Sequence, residues 1–182
     1  MILPPSVEKL WTDLERVRAE VLRESDGLSQ RQADWRPAEG EWSVGEVLDH
    51  LTVAEIATGK LTTKLTKEIA AGSAAAVFPH DLGEFGSLPP RPPGPGAGAP
   101  EVVWPHHGKP IAELLATMRA TRERSRQSMD RLAACDPRAL RFKHFSFGEL
   151  DLAQWWRLQA EHDAMHLRQI HEIKTAPGFP RD

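Results

Sequence analysis

The sequence predicts an all-α protein, most simply a four-helix bundle, and three observations carry this. Four segments repeat apolar residues at the three-to-four spacing of a single helix face. Two of them open on the capping pattern in which one side chain and the residue three further on satisfy each other's free backbone N–H groups: Ser43 with Glu46, and Asp151 with Gln154. No stretch alternates convincingly, and only Lys143–Leu150 offers a local strand pair.

The first helix is expected over about Val7–Arg23, with Val7, Leu10, Trp11, Leu14, Val17, Val21 and Leu22 on one side and Ser6 as its cap behind Pro4 and Pro5. A short helical turn fits Ser29–Ala33, and Trp35 is placed to plug the end of the bundle. The second helix starts at Ser43 and carries Val44, Val47, Leu48, Leu51, Ala54, Leu61 and Leu65 to about Ala71. The third starts with Pro110, whose missing N–H would go unpaired in a first turn anyway, and carries Ile111, Leu114, Leu115, Met118 and Leu132. It stops before Asp136-Pro137. The fourth starts near Asp151 and runs through Trp155, Leu158, Met165, Ile170 and Ile173 until Ala176-Pro177-Gly178 ends it.

The 182 residues suit one domain, 1–182, with an irregular connection over about 72–109. Ten of the fifteen residues from Gly86 to Pro100 are Gly or Pro, which excludes regular structure and lays that stretch across the surface. Its length lets the third helix run parallel to the second. The net charge of -3 gives no overall pull toward nucleic acid or an anionic membrane. No apolar run is long enough to span a bilayer, and the N-terminus lacks a signal-peptide pattern. The single cysteine, Cys135, fits a cytoplasmic protein and reads as packing at a helix end.

Chemistry is concentrated in the histidines. His162 and His166 are four apart, one turn of helix on one side, the spacing at which two imidazoles reach one ion. Chance gives about 0.35 such pairs in a chain with eight histidines, so the pair alone weighs little. His50 adds weight, because it sits among Val47, Leu51, Ala54 and Ala57 on the apolar side of the second helix. Imidazoles buried without partners cost free energy, so three on core-facing stripes ask for a shared one. Zn²⁺, Ni²⁺ or Fe²⁺ suits three imidazoles, Mn²⁺ less well, and three protein ligands leave an open position. The bland alternative is ordinary core or surface histidines.

Asp49, Glu55, Glu161 and Asp163 lie beside or one turn from these histidines. Glu55 and Asp163 are the candidate catalytic bases, against the alternative of a solvated charged face. HDAMH differs from a zincin H-E-x-x-H by one methylene, but the sheet and downstream ligand of those folds have no counterpart here. Ser43 is a helix cap, and the first glycine of a G-x-S-x-G elbow is missing. Arg119, Arg122, Arg124, Arg126 and Arg131 read as a solvated face, His80, His106 and His107 as surface histidines of the connection, and His171 as turned off the ligand side.

The segments GEWSVGEVLDHLTVAE and FGELDLAQWWRLQAEHDAMHLRQI resemble the second- and fourth-helix signatures of the DinB/YfiT-like family: a W-S pair capping a helix that carries H-L, then F-G, a W and H-x-x-x-H-x-x-Q-I. The preceding turn DWRPAEGEW matches as well. The resemblance implies an up-down-down-up bundle with a divalent metal on His50, His162 and His166. It also implies a bacterial metal-dependent hydrolase, or a transferase in which a low-molecular-weight thiol is cosubstrate. A bundle with a purely structural metal is the competing expectation. The partners expected are a small-molecule substrate, no nucleic acid and no membrane, with a homodimer allowed.

Overall fold

The computed structural model of the protein describes residues 2–70, 84–90, 98 and 100–181, without the side chains of 69 and 70. Much of the predicted connection, His80 included, lies outside the described residues. Four long helices build the molecule: α1 (Pro5–Ser25), α3 (Val44–Ala70), α4 (Ile111–Ala133) and α5 (Leu152–Thr175). A short α2 (Gln30–Asp34) follows α1, and a hairpin of β1 (Arg141–His144) and β2 (Gly148–Asp151) leads into α5. α1 rests on α5 and α4, and α3 rests on the same two helices.

The starts follow the capping chemistry. Ser43 donates its backbone N–H to Glu46 Oε2 at 2.9 Å and accepts at Oγ from the Glu46 N–H at 3.2 Å. Asp151 and Gln154 do the same for α5, at 3.0 and 2.8 Å. Two expectations about starts need correction. Ser6 is not a cap: α1 begins at Pro5, because proline's fixed φ already suits a first turn, and Ser6 lies inside it with its hydroxyl buried and unpartnered. Pro110 is the residue before α4 rather than its first member.

The local pair foreseen near Lys143–Leu150 is an antiparallel hairpin with Arg141 opposite Asp151 and His144 opposite Gly148. Gly148 has φ +72°, a conformation that favours glycine, and this lets the chain reverse tightly. The hairpin explains a further correction. Trp156 is the fully buried tryptophan of α5 and donates to Thr62 Oγ1 at 2.9 Å, whereas Trp155, a turn of about 100° away, faces the hairpin and donates to the Phe142 carbonyl. Met165, expected in the core, is exposed. At the other end Trp35 packs edge-on against Phe179, 5.6 Å between ring centres.

The core falls into two apolar clusters. One holds Val7, Leu10, Leu14, Leu65, Met129, Leu132 and Trp156; the other holds Val21, Val44, Val47, Leu48, Leu51, Met118 and Ile170. Along every long helix the two sets are separated by one buried charged residue: Arg18, Glu55, Arg122 and Asp163. A polar layer therefore crosses the bundle between two greasy ones.

Candidate metal centre

His50 enters from the second turn of α3, and His162 and His166 from successive turns of α5. Their Nε2 atoms converge. His162 Nε2 lies 3.0 Å from His50 Nε2 and 3.1 Å from His166 Nε2. His50 and His166 are buried and His162 is half-buried. Trp42 stacks on His166 with ring planes 19° apart and centres 6.1 Å apart, and lies 4.8 Å from the His50 ring.

The far nitrogens of two rings are already committed. His50 Nδ1 donates to the Val103 carbonyl at 2.7 Å, and His166 Nδ1 donates to Gln169 Oε1 at 2.6 Å. Those bonds put the proton on Nδ1 and leave both Nε2 atoms as bare lone pairs. Burial pushes all three pKa values down, His162 to about 2 and His166 to about 4, with the neighbouring imidazoles adding to the effect on both. Neutral rings are the form that ligates metal.

The arrangement cannot satisfy itself. At most one proton, on His162 Nε2, is available to two short N···N contacts, so at least one of them sets lone pair against lone pair. A cation removes that conflict. Three nitrogens at about 2.0–2.1 Å from a tetrahedral ion stand about 3.3 Å apart, close to the spacing found here. These three residues, with ligand atoms within 4.8 Å of one another, could hold a metal ion.

The other candidates fall elsewhere. Glu55 and Asp163 are fully buried in the charged layer. Arg122 Nε donates to Glu55 Oε1 at 2.8 Å and its Nη2 to Asp163 Oδ2 at 3.2 Å. Arg18 Nε donates to Asp163 Oδ2 at 2.9 Å, and its Nη2 lies 2.9 Å from Glu55 Oε2. Gln159 adds an N–H to Asp163 at 3.3 Å. Arg122 thus leaves the group expected on a solvated face; Arg119, Arg124 and Arg131 are exposed, and Arg126 is half-buried. Asp49 is buried and Glu161 exposed. His171 is exposed and outside the triad, and His106 and His107 lie against Asp49 and Glu46.

Sequence reasoning missed Arg18, Arg122 and His144. Arg18 sits between Leu14 and Val21 on the apolar stripe of α1, and Arg122 continues the line Leu115–Met118; that placement was the available signal. His144 is buried among Phe145, Phe147 and Trp155, with Nδ1 accepting the Ser146 backbone N–H at 3.0 Å.

Fold and site together define a helical bundle with a buried three-histidine centre. The chain belongs to the DinB superfamily, whose family model matches residues 13–170. Among solved structures it is similar to TT2238, described as a four-helix bundle protein, with a TM-score of 0.61 and 19% identity over 91% of this chain and 98% of that one. No curated protein matches the sequence.

Proposed function

We propose that the protein is a metal-dependent enzyme acting on a small molecule, by hydrolysis or by transfer of a low-molecular-weight thiol, with one divalent ion on His50, His162 and His166. Zn²⁺, Ni²⁺ and Fe²⁺ are the favoured ions, Mn²⁺ less so. The observation that supports this best is the convergence of three Nε2 lone pairs with too few protons to pair them. A divalent ion on three neutral imidazoles keeps its full charge and favours the anionic form of an incoming water or thiol.

The chain's own residues divide the remaining work. Trp42 covers His50 and His166 on one side, and half-buried His162 supports approach of a small molecule from its own side. Cys135 packs with the other apolar cluster, and burial pushes its thiol pKa up, so a reacting sulfur comes from outside. Glu55 and Asp163 have oxygens occupied by Arg18 and Arg122. In the resting arrangement their role is to hold those cations and fix the helices that carry the ligands. Proton transfer by either carboxylate requires the layer to open.

The test is spectroscopic. With Co²⁺ in the centre, a sulfur-to-cobalt charge-transfer band on adding small thiols assigns thiol transfer. Hydrolysis of an activated ester or amide that depends on His50, without such a band, assigns hydrolysis. Neither response in the loaded protein overturns the enzymatic reading in favour of a structural ion joining α3 to α5.

A further inference from the structure

The stretch leading into α4 lies along the first turns of α3 and grips three of its residues. The Val103 carbonyl, at the end of a 3-10 turn (Glu101–Val103), accepts from His50 Nδ1 at 2.7 Å. His106 donates its backbone N–H to Asp49 Oδ2 at 2.8 Å, and its Nδ1 lies 3.1 Å from the same oxygen. Lys109 Nζ donates to Asp49 Oδ1 at 2.8 Å. His107 Nδ1 stands 3.4 Å from Glu46 Oε2. Asp49 is only 4% exposed, whereas the His106 side chain is largely in solvent and the His107 side chain about half so. The carboxylate thus takes three polar contacts from this segment, while Gln30 Nε2 holds its far end by donating to the Lys109 carbonyl at 3.1 Å. Burial pushes the Asp49 pKa up, but the Lys109 and His106 donors outweigh it and hold the group below the usual carboxylate range.

The two outer hydrogen bonds of the triad differ in kind. His166 bonds to Gln169, three residues on in the same helix, so that partner travels with it. His50 bonds to Val103, 53 residues away and outside the bundle helices. The nitrogen that His50 offers at the centre therefore depends on where the 103–109 segment sits, and of the residues that hold this segment Asp49 is the one beside His50.

We infer that residues 103–109 form a strap whose docking on Asp49 is coupled to occupancy of the metal centre, with Asp49 as the positioning residue that carries the coupling. The inference rests on the metal reading of the triad. A cation at His50 Nε2 makes the Nδ1–H a stronger donor and tightens its bond to the Val103 carbonyl. Linkage makes the effect reciprocal: a docked strap holds His50 in the tautomer that binds the ion, and raises affinity by the same factor by which the ion favours docking. The partner on His166 cannot produce this effect, because it belongs to the same rigid helix.

The experiment is amide hydrogen exchange on the full chain, read at Val103, Trp104 and His106, with zinc and after chelation. Zinc should slow exchange there by about tenfold or more, the size expected when an outer partner of a metal-bound histidine matters. Asp49→Asn should erase that difference and weaken zinc by about tenfold or more, although all three ligands remain. A merely structural role for Asp49 would speed exchange equally in both states and leave the difference. His162→Ala, which leaves every strap contact in place, should also lose the zinc effect. Lys109→Met, a change at a half-buried surface residue, should reduce both effects in part and serves if Asp49→Asn fails to fold. Equal exchange with and without zinc in a protein that binds zinc overturns the coupling alone, as does an Asp49→Asn protein with wild-type zinc affinity. A wild-type protein that takes up neither zinc nor nickel, iron or manganese overturns the metal reading and the coupling together.

Discussion

The charged layer of Arg18, Glu55, Arg122 and Asp163 and the triad of His50, His162 and His166 are neighbours in one bundle, and both draw on α3 and α5. The layer takes one residue from each long helix and carries two positive and two negative groups, so its charges cancel internally. The triad is neutral, brings acceptors together and lacks the protons to join them. The layer joins each carboxylate to both guanidinium groups and leaves only Nη1 of Arg18 and of Arg122 without a hydrogen bond, whereas the triad cannot pair the acceptors it brings together. Burial of polar groups is tolerated when they are paired, and a cluster that cannot pair itself marks a place for a ligand.

The largest effect should come from breaking the charged layer. Asp163→Ala leaves two guanidinium groups facing one carboxylate and should cost about 3–5 kcal/mol in denaturant unfolding. Replacing all four members by apolar residues of similar volume should be nearly neutral by comparison, since a buried ion network often contributes little net stability over good packing. A quadruple variant less stable than Asp163→Ala would contradict this picture of the layer.

For the triad, the ion rather than the side chains should carry the stability. With metal at about a thousandfold above its dissociation constant, chelation should remove about 4 kcal/mol and lower the melting temperature. The helical circular dichroism should survive, because both apolar clusters persist. Loss of the helical signal on chelation would mean that the ion holds the fold itself.

Acid should separate the clusters further. Burial holds His50, His162 and His166 below the ordinary histidine value, so the unfolded chain takes up protons first as pH falls. The apoprotein should keep this contribution above about pH 6.5 and lose stability from there toward pH 4, by up to about 1.4 kcal/mol per pH unit for each histidine. Urea midpoints of the chelated protein across that range check it, and His162→Leu should flatten the slope. An unchanged slope in that variant would assign the acid sensitivity to other groups.

The smallest effect is the most discriminating for the triad's own energetics. In the absence of metal, His162→Leu should lie within about 1 kcal/mol of the apoprotein, because it removes an unfavourable lone-pair contact along with an imidazole. The same substitution in the presence of metal should cost most of the ion's contribution. Equal costs in both conditions would show that the imidazoles pair without an ion.

The contrast also explains what the sequence makes legible. The triad could be read because two of its members share one helix at a fixed four-residue spacing, and the third stands among Val47 and Leu51. Helix spans came from capping pairs such as Ser43–Glu46, whose partners are three residues apart. The charged layer was hidden because its pairing is tertiary. Arg18 lies 145 residues from Asp163, and Arg122 67 residues from Glu55, so their place on apolar stripes hints at burial but nothing local names their partners. The choice of Trp156 over Trp155 for the core depended on a hairpin whose pairing the local pattern only hinted at. The strap on Asp49 was equally out of reach, since His106 and Lys109 look like any polar residues of a connection.

Metal content after growth in metal-replete medium, followed by titration, tests whether the three histidines share one ion. The wild-type protein should carry about one divalent ion per chain, most of it lost in His50→Ala, His162→Ala and His166→Ala alike and retained in His171→Ala. A wild-type protein with all its histidines intact that carries no metal and takes none up on titration would contradict a shared ion.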